Sequence, residues 1–240
     1  MPLTPRRLAA GLLSAIDRKD RLRKARDHLF APRHDWLWQV NNVVHVGANE
    51  GDEAAIYAAH NVRVLWIEPI PAVFARLQRR IRWYPRQSAY RALCADQAGL
   101  PFTLQIAVNG GKSSSIFDLS GHKDIWPDIH YTGRIELISE TLDDILAKQP
   151  HRYDALVMDV QSAELLVLQG AERCLPGFSH IQTEAGNFDI YKGGVQSDEL
   201  EAYLAARDFT VIRRDVFARR AGQTGECFDL LLANKNVRQK

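Results

Sequence analysis

A glycine-rich turn between two apolar segments constrains the fold of this chain more than any other feature. Residues 43–51 read VVHVGANEG, and Glu68, which ends the apolar segment 64–67, lies twenty-one residues after Gly47. A β-branched strand that ends in such a turn, followed by a second strand that ends in an acid, is how α/β folds hold a nucleotide-like cofactor. The glycines permit a tight turn and a close approach of the backbone to the ligand, and the helix that follows presents its free N–H groups to the ligand.

Acidic residues in this turn narrow the choice of cofactor. Asn49 occupies the position of the second glycine of a dinucleotide fingerprint, and Glu50 and Asp52 flank Gly51. Two carboxylates there would repel a pyrophosphate, so the sequence favours a cofactor with a ribose and no phosphate, S-adenosylmethionine. A tight connection without a ligand is the alternative explanation of the turn. The residues predicted to contact the cofactor are His45, Gly47, Ala48, Asn49, Gly51, Glu68, Pro69, Asp96 and Asp159.

The composition is typical of a globular α/β protein. The chain has 240 residues, of which 46% are hydrophobic and 25% charged, enough for one domain with a full core. No apolar run approaches the roughly 20 residues that a membrane helix requires, and the N-terminus lacks the pattern of a signal peptide. Because Cys94, Cys174 and Cys227 follow no disulfide or zinc spacing, we expect a cytoplasmic protein.

Positive charge is concentrated at the N-terminus. Residues 1–37 contain nine Lys or Arg against four Asp, about +5, so the rest of the chain carries about −3. Apolar residues at helical intervals predict an amphipathic helix in this arm: Leu8, Leu12, Leu13, Ile16 and Leu22. The arm could contact an anionic membrane or nucleic acid, but packing on the body or on a second subunit of a homo-oligomer is the favoured interpretation.

The remaining residues alternate predicted strands and helices, which favours a parallel sheet covered on both faces. Predicted strands are residues 43–46, 64–67, 91–95, 101–108, 134–138, 155–160, 179–183, 209–213 and 228–233. Predicted helices are residues 52–60, 72–82, 163–174, 197–207 and one that begins at the capping Thr141. Residues 109–134 form a long irregular segment, and such loops in compact domains are usually functional.

Three segments together resemble the FkbM family of S-adenosylmethionine-dependent methyltransferases. They are the glycine turn with Glu68, residues 141–144 (TLDD), and residues 156–171 (LVMDVQSAELLVLQGA), which are similar to the family's D-V-E-G-x-E-x-x-V-L-x-G-A stretch. The resemblance covers about residues 42–234. It implies a doubly wound, Rossmann-like α/β sheet of class I methyltransferases, mostly parallel with an antiparallel last strand, so that residues 38–240 are the methyltransferase domain. It also implies methyl transfer, usually to a hydroxyl oxygen of a sugar or natural product.

The chain departs from the family pattern near the predicted site. His45 stands where the family often has Asp, and Gln161-Ser162 replaces Glu-Gly. A neutral Gln is a poorer ligand for a hard cation than Glu, so we predict no metal site. Ser162 in place of Gly predicts that this turn does not require a positive φ. His45 itself is expected to be a core histidine beside the cofactor.

Catalytic residues are expected at the carboxyl ends of strands, where α/β folds bind ligands. Methyl transfer requires alignment of the acceptor and removal of its proton, and Asp159 is the first candidate for the base or for a contact with the methionine end of the cofactor. Its alternative role is to cap the helix that follows. Glu184, predicted to end the next strand, would hold the acceptor. His122 is a candidate base because its unperturbed pKa is near neutrality, and an exposed loop histidine without a function is its alternative.

The acceptor is predicted to be a small molecule or glycan rich in hydroxyl groups. Residues 112–131, with Glu184 and Tyr191, supply aromatic and hydrogen-bonding groups for it. Two other functions stay open. One is a nucleic-acid methyltransferase that uses the basic arm, which the mildly acidic body disfavours. The other is a non-catalytic module that binds the cofactor and transfers nothing.

Overall fold

The computed structural model describes residues 23–237 and contains ten strands in two sheets. The strands are β1 (Asn42–Val46), β2 (Arg63–Ile67), β3 (Gln87–Tyr90), β4 (Leu93–Cys94), β5 (Pro101–Ala107), β6 (Tyr131–Glu140), β7 (Ala155–Met158), β8 (His180–Gly186), β9 (Phe209–Arg219) and β10 (Glu226–Asn234). The central seven-stranded sheet has the order β3-β2-β1-β7-β8-β10-β9, and β10 is antiparallel to both of its neighbours. This is the doubly wound sheet with an antiparallel last strand that the sequence predicts.

Short helices connect the strands. They are α1 (residues 23–29 in the described part), α2 (Ala54–Ala59), α3 (Pro71–Ile81), α4 (Leu142–Ala147), α5 (Glu164–Gln169) and α6 (Ser197–Ala205). Three 3-10 helices span Pro32–Gln39, Gly121–Asp124 and Leu175–Gly177. Thr141 caps α4 as predicted, because its Oγ1 accepts a hydrogen bond from the backbone N of Asp144 at 3.2 Å.

The core lies on both faces of the central sheet. Val44 and Val46 of β1 belong to one buried cluster, which includes residues of α4, α5 and α6, whereas Val43 belongs to a second cluster with the first 3-10 helix, α2 and α3. Strands buried on both faces require apolar residues at every position. The valine-rich sequence of β1 therefore places the glycine turn at the carboxyl edge of a fully covered sheet.

Several element boundaries differ from the sequence-based predictions. The strand predicted at residues 91–95 is instead the polar β3, which ends at Tyr90, and the two-residue β4 of the second sheet. Because β3 is an edge strand with partly exposed polar residues, it carries no apolar signal. The strand predicted at 134–138 is the ten-residue β6, which pairs with β5 and β4 in the order β4-β6-β5. The helix predicted to reach Cys174 ends at Gln169.

The predicted N-terminal arm is described in part. Its apolar stripe, Leu8 to Leu22, lies outside the described residues. The predicted boundary between residues 37 and 38 falls inside the 3-10 helix Pro32–Gln39, whose Trp36 and Leu37 are buried in the core. This helix therefore packs as part of the α/β body. Among residues 23–237, no helix is long and apolar enough to cross a membrane.

Candidate active site

The glycine turn after β1 lies very close to the end of the neighbouring parallel strand β7. A Cβ atom on Gly47, whose φ is +80°, would lie 1.8 Å from the backbone O of Asp159. Its backbone N and that of Ala48 both donate to the backbone O of Ile67 at 3.0 Å. Gly47 is thus required by the conformation and by the approach of the end of β7, which brings Asp159 beside the turn.

Glu68 lies at the end of β2 as predicted, and its carboxylate faces the same turn. Its Oε2 accepts a hydrogen bond from the backbone N of Asn49 at 2.9 Å, and its Oε1 accepts one from the backbone N of Ile70 at 2.8 Å. The side chain is 4% exposed, and this burial raises its pKa to about 7. Each carboxylate oxygen accepts two hydrogen bonds, so both retain capacity for a hydroxyl donor such as those of a ribose.

A cavity of about 150 Å³ lies between the turn and the second sheet. Seven of the nine residues predicted to contact the cofactor line it: His45, Gly47, Ala48, Asn49, Glu68, Pro69 and Asp159. Its lining also includes residues of β4 and β5 and just before them that sequence reasoning missed: Ala92, Leu93, Cys94 and Leu104. Lys112, Ser114 and Ile116, which were predicted to lie on the acceptor side, line this first cavity as well. The cavity thus combines hydrogen-bonding groups with apolar side chains, as small-molecule sites do.

Gly51 and Asp96 lie outside the lining of this cavity. Gly51 has a φ of +71°, and a Cβ there would lie 2.7 Å from a methyl group of Leu77 in α3. It therefore shapes the turn and its packing on the helix. Asp96 accepts a hydrogen bond from Gln97 at 3.3 Å. The residues just before Asp96 line the cavity instead: Ala92, Leu93 and Cys94. The strand predicted to end at Ala95 ends at Cys94, as β4.

The acids in the turn are paired with cations. Glu50 accepts a hydrogen bond from Arg76 at 2.6 Å, and Asp52 forms ion pairs with Arg80 and, at 2.9 Å, with Lys112. These pairs offset much of the negative charge that was expected to repel a pyrophosphate. The preference for a cofactor without phosphate is therefore supported by the turn's missing second glycine more than by its acids.

Asp159 follows the last residue of β7, where the sequence predicts it. Burial raises the pKa of its carboxyl to about 6. The side chain of Gln161 donates from Nε2 to Oδ1 of Asp159, and its own Oε1 accepts a hydrogen bond from the Tyr191 hydroxyl at 2.5 Å. Helix α5 has no side-chain cap at its N-cap residue Ala163, so the alternative that Asp159 caps this helix is wrong. Gln161 instead holds one oxygen of the carboxylate in place.

The turn after β7 adopts a conformation that the sequence did not predict. The φ angles of Gln161 and Ser162 are +55° and +72°, a region that non-glycine residues rarely adopt. The expectation that Ser162 marks a turn without positive φ was wrong. A Cβ on Gly194 would lie 2.4 Å from the Ser162 Cβ. The absence of a side chain at position 194 therefore provides the space that the serine occupies.

A second cavity, of about 90 Å³, adjoins the first and shares His45, Glu53 and Asp159 with it. Its other walls come from the first 3-10 helix, α2, and strands β7, β8 and β10: His34, Trp36, Leu37, Ile56, Tyr57, Val157, Met158, Gln182, Thr183, Glu184 and Asp229. His45 is 5% exposed, lies 3.1 Å from the Tyr57 hydroxyl through Nδ1, and stacks on Trp66. Burial lowers its pKa, so it is a neutral core histidine, as predicted, and it lines both cavities.

Glu184 lies within β8, two residues before the strand ends at Gly186, and not at its end as predicted. Strand β8 is longer than expected because Ala185 and Gly186 pair with Phe228 and Cys227 of β10. Burial, followed by the negative charges of Asp159 and Asp229, raises the pKa of Glu184 well above its usual range. The carboxyl borders the second cavity and also a third one.

His122 is buried, at 2% exposure, so the alternative of an exposed loop histidine is wrong. Its Nε2 lies 3.2 Å from the Ser113 Oγ, and its ring packs against Trp126 and Tyr191. Burial lowers its pKa to about 4. His122, Trp126 and Tyr191 line the third cavity, of about 40 Å³, which also contacts Glu184 and shares Gln161 with the first. The structure thus brings His122, Trp126 and Tyr191 together outside the lining of the first two cavities, and Glu184 borders both this third cavity and the second.

The segment predicted to be irregular is held by specific contacts. Gln105 and Ser115 form an antiparallel bridge, as do Leu119 and Tyr191. The Ser115 hydroxyl donates to the backbone O of Gln161 at 2.8 Å. Ser115 therefore supports the turn beside Asp159. Within residues 23–237, no three His, Cys, Asp or Glu side chains are arranged to hold a metal ion.

The sequence profile of the methyltransferase FkbM domain matches residues 45–211. The chain belongs to the FkbM methyltransferase family. This match spans the glycine turn, Glu68, Asp159 and Glu184, and it agrees with the S-adenosylmethionine cofactor expected from the sequence. No curated protein sequence matches the chain.

Three solved structures are similar to this chain at low sequence identity and at TM-scores under 0.5. Magnesium protoporphyrin IX methyltransferase from Synechocystis PCC 6803, with bound S-adenosylmethionine, is 11% identical, and the match covers 89% of this chain and 82% of that one at a TM-score of 0.46. A Burkholderia thailandensis 1,6-didemethyltoxoflavin-N1-methyltransferase, with bound 1,6-didemethyltoxoflavin and S-adenosylhomocysteine, is 13% identical. The match covers 98% of this chain and 93% of that one at a TM-score of 0.45. An uncharacterised Listeria monocytogenes protein is 9% identical, and the match covers 88% of this chain and 70% of that one at a TM-score of 0.47. Similarities of this size carry no information about the acceptor.

Proposed function

We propose that this FkbM-family protein transfers the methyl group of S-adenosylmethionine to a hydroxyl oxygen of a small-molecule acceptor, a sugar, glycan or natural product. The observation that carries the proposal is the position of Asp159, whose side chain borders both the first cavity and the second. Methyl transfer requires donor and acceptor to meet in line at one point. Asp159 marks the place where two adjoining cavities come together.

The first cavity has the chemistry to hold the cofactor. Glu68 has free acceptor capacity for the ribose hydroxyls, and the Oδ1 of Asn49 is buried without a hydrogen-bond partner among the described residues. A buried amide oxygen without a donor is costly, so it fits a ligand with N–H or O–H groups. Leu93, Leu104 and Ile116 offer an apolar surface to the adenine ring. When bound, S-adenosylmethionine supplies a methyl group on a positively charged sulfur.

Asp159 accepts the proton of the acceptor hydroxyl in this proposal. Its Oδ1 is held by Gln161, which leaves Oδ2 for the acceptor. A carboxyl with a pKa of about 6 is ionised at neutral pH and binds a proton more readily than an exposed aspartate. Its negative charge also lies where the positive charge of the cofactor is expected. The chain thereby aligns the hydroxyl, removes its proton and excludes water through the walls of both cavities.

The test is the Asp159→Asn variant, which removes the charge with little change in shape. Wild type and variant are incubated with S-adenosylmethionine carrying an isotopically labelled methyl group and a panel of sugars, polyols, amino sugars and amino alcohols, and the transferred methyl is located by NMR. We expect an O-methyl product from the wild type and loss of transfer in the variant. Glu199→Gln, which removes an exposed acid of α6, is the charge-matched control.

Two results would contradict the proposal. Turnover retained in Asp159→Asn, with a lower melting temperature, would give the residue a structural role. Binding of S-adenosylhomocysteine by the wild type without turnover on any member of the panel would favour a non-catalytic module. The cytoplasm remains the proposed location, based on the free thiols of Cys94, Cys174 and Cys227.

A further inference from the structure

A row of carboxylates crosses the central sheet at the floor of the second cavity. Glu184 of β8 is directly opposite Asp229 of β10, and Asp229 is directly opposite Asp215 of β9. Asp159 follows the last paired residue of β7, so it continues the same row next to Glu184. Like charges directly opposite each other destabilise a sheet. The row therefore weakens the fold unless something in the cavity compensates for it.

The protein provides little compensation for the two central acids. Arg213 and Arg33 lower the pKa of Asp229, but less than burial and Asp215 raise it. Arg213 itself pairs with Asp215 at 2.8 Å, and Lys112, in the lining of the first cavity, pairs with Asp52. Among the described residues, no side chain or backbone group donates a hydrogen bond to the carboxylate of Glu184 or Asp229. Burial and neighbouring negative charges raise the pKa of both groups. The charged forms of these acids are therefore disfavoured in the empty cavity, and a cation bound beside them would stabilise their negative charge.

The roof of the second cavity supplies an independent observation. Trp36, in the first 3-10 helix, is 4% exposed and lines the cavity. Its Nε1 is buried without a hydrogen-bond partner among residues 23–237. A buried indole N–H without an acceptor is costly, whereas a ligand hydroxyl oxygen would satisfy it. An indole face also stabilises a cation placed over it.

We infer that the second cavity binds an acceptor that carries a protonated amine close to the methylated hydroxyl, an amino alcohol or amino sugar, with the ammonium held by Glu184 and Asp229. The inference rests on the proposed function and specifies its substrate class. Neighbouring strands are roughly 5 Å apart, so Glu184 lies about one strand spacing from Asp159. A hydroxyl at Asp159 and an ammonium at Glu184 fit a molecule whose oxygen and nitrogen are on adjacent or next-adjacent carbons.

The experiment compares two ligands of the same shape. The wild-type protein is first titrated calorimetrically with S-adenosylhomocysteine. In the presence of saturating S-adenosylhomocysteine, it is then titrated at pH 7.5 with trans-2-aminocyclohexanol, which is cationic, and with trans-1,2-cyclohexanediol, its neutral analogue. We expect the amino alcohol to bind at least about tenfold more tightly, equivalent to roughly 1.4 kcal/mol. Glu184→Gln and Asp229→Asn should each reduce this preference, and the exposed-acid control Glu199→Gln should retain it.

The outcomes separate the inference from the proposed function. Failure of S-adenosylhomocysteine to bind would overturn the proposed function. Normal binding of S-adenosylhomocysteine with equal or undetectable binding of the two ligands would overturn the inference and leave the cofactor site intact. A preference for the amino alcohol that persists in both Glu184→Gln and Asp229→Asn would also overturn it, because the cation would then bind elsewhere. Circular dichroism of each variant confirms that the comparison is made between folded proteins.

Discussion

The contact between Ser162 and Gly194 makes a quantitative prediction about the turn that carries Gln161. Ser162 has a φ of +72°, and a Cβ on Gly194 would lie 2.4 Å from the Ser162 Cβ. No real Cβ pair tolerates that separation, so Gly194→Ala must displace one of the two segments. Overpacking of this kind costs about 1–3 kcal/mol of unfolding free energy.

Removal of the serine side chain should relieve the clash. In the Ser162→Gly background, the contact that remains for an alanine at position 194 is the backbone O of residue 162 at 3.2 Å, which needs a shift of only a few tenths of an ångström. Ser162→Gly by itself should be neutral or stabilising by up to about 1 kcal/mol, because glycine adopts positive φ without strain. We therefore expect a favourable coupling energy of about 1–2 kcal/mol between the two substitutions.

The assay is urea unfolding of the wild type, both single variants and the double variant. The coupling energy follows from the four unfolding free energies, provided that the denaturant slopes agree. Additive effects, within about 0.5 kcal/mol, would refute the reasoning, because they would show that the two residues do not share the space described. A strong destabilisation by Ser162→Gly alone would show that the serine side chain, and not its conformation, stabilises the turn.

Two further predictions concern charge. Burial raises the pKa of Glu164 to about 7, from an unfolded value near 4.5. The folded state therefore binds the proton more tightly, and the contribution of this group to stability is lost as the pH rises from about 4.5 through 7. Glu164→Gln keeps an acceptor for the backbone N of Val160. In thermal unfolding it should stabilise the protein by up to about 3 kcal/mol at pH 8 and by less at pH 5. A gain in stability that does not depend on pH would contradict the raised pKa of Glu164. Treatment with EDTA should leave methyl transfer unchanged, and loss of activity that Mg²⁺ restores would show that a metal takes part.

The parts of the site that sequence reasoning predicted are local along the chain. The turn at Gly47, Glu68 at the end of β2 and Asp159 at the end of β7 each follow a short apolar strand, so position and neighbours can be predicted from pattern alone. The parts that it missed depend on strand order. Asp229 pairs with Glu184 across β10 and β8, and an acid inside an apolar segment gives no indication of which strand it will face.

The error at Ser162 has a different cause. Residue type predicts positive φ well for glycine and poorly for other residues, which adopt it only where the surroundings impose it. Here the backbone O of Gln161 is held by the Ser115 hydroxyl at 2.8 Å, and the backbone N of Val195 donates to the Ser162 O at 3.0 Å. Both contacts come from segments distant in sequence. The one local signal was the glycine that the family has at the position of Ser162, which is typical of a turn with positive φ.

The central claim, that the first cavity binds the cofactor with Glu68 on the ribose, is tested most directly by calorimetric titration with S-adenosylhomocysteine. Glu68→Gln retains one oxygen for the backbone N–H groups that Glu68 now binds, so the turn is disturbed less than by Glu68→Ala. We expect the wild type to bind, and Glu68→Ala to lose about 1–3 kcal/mol of binding free energy, with a smaller loss for Glu68→Gln. Binding with unchanged affinity in both variants, or no binding by the wild type, would contradict the claim.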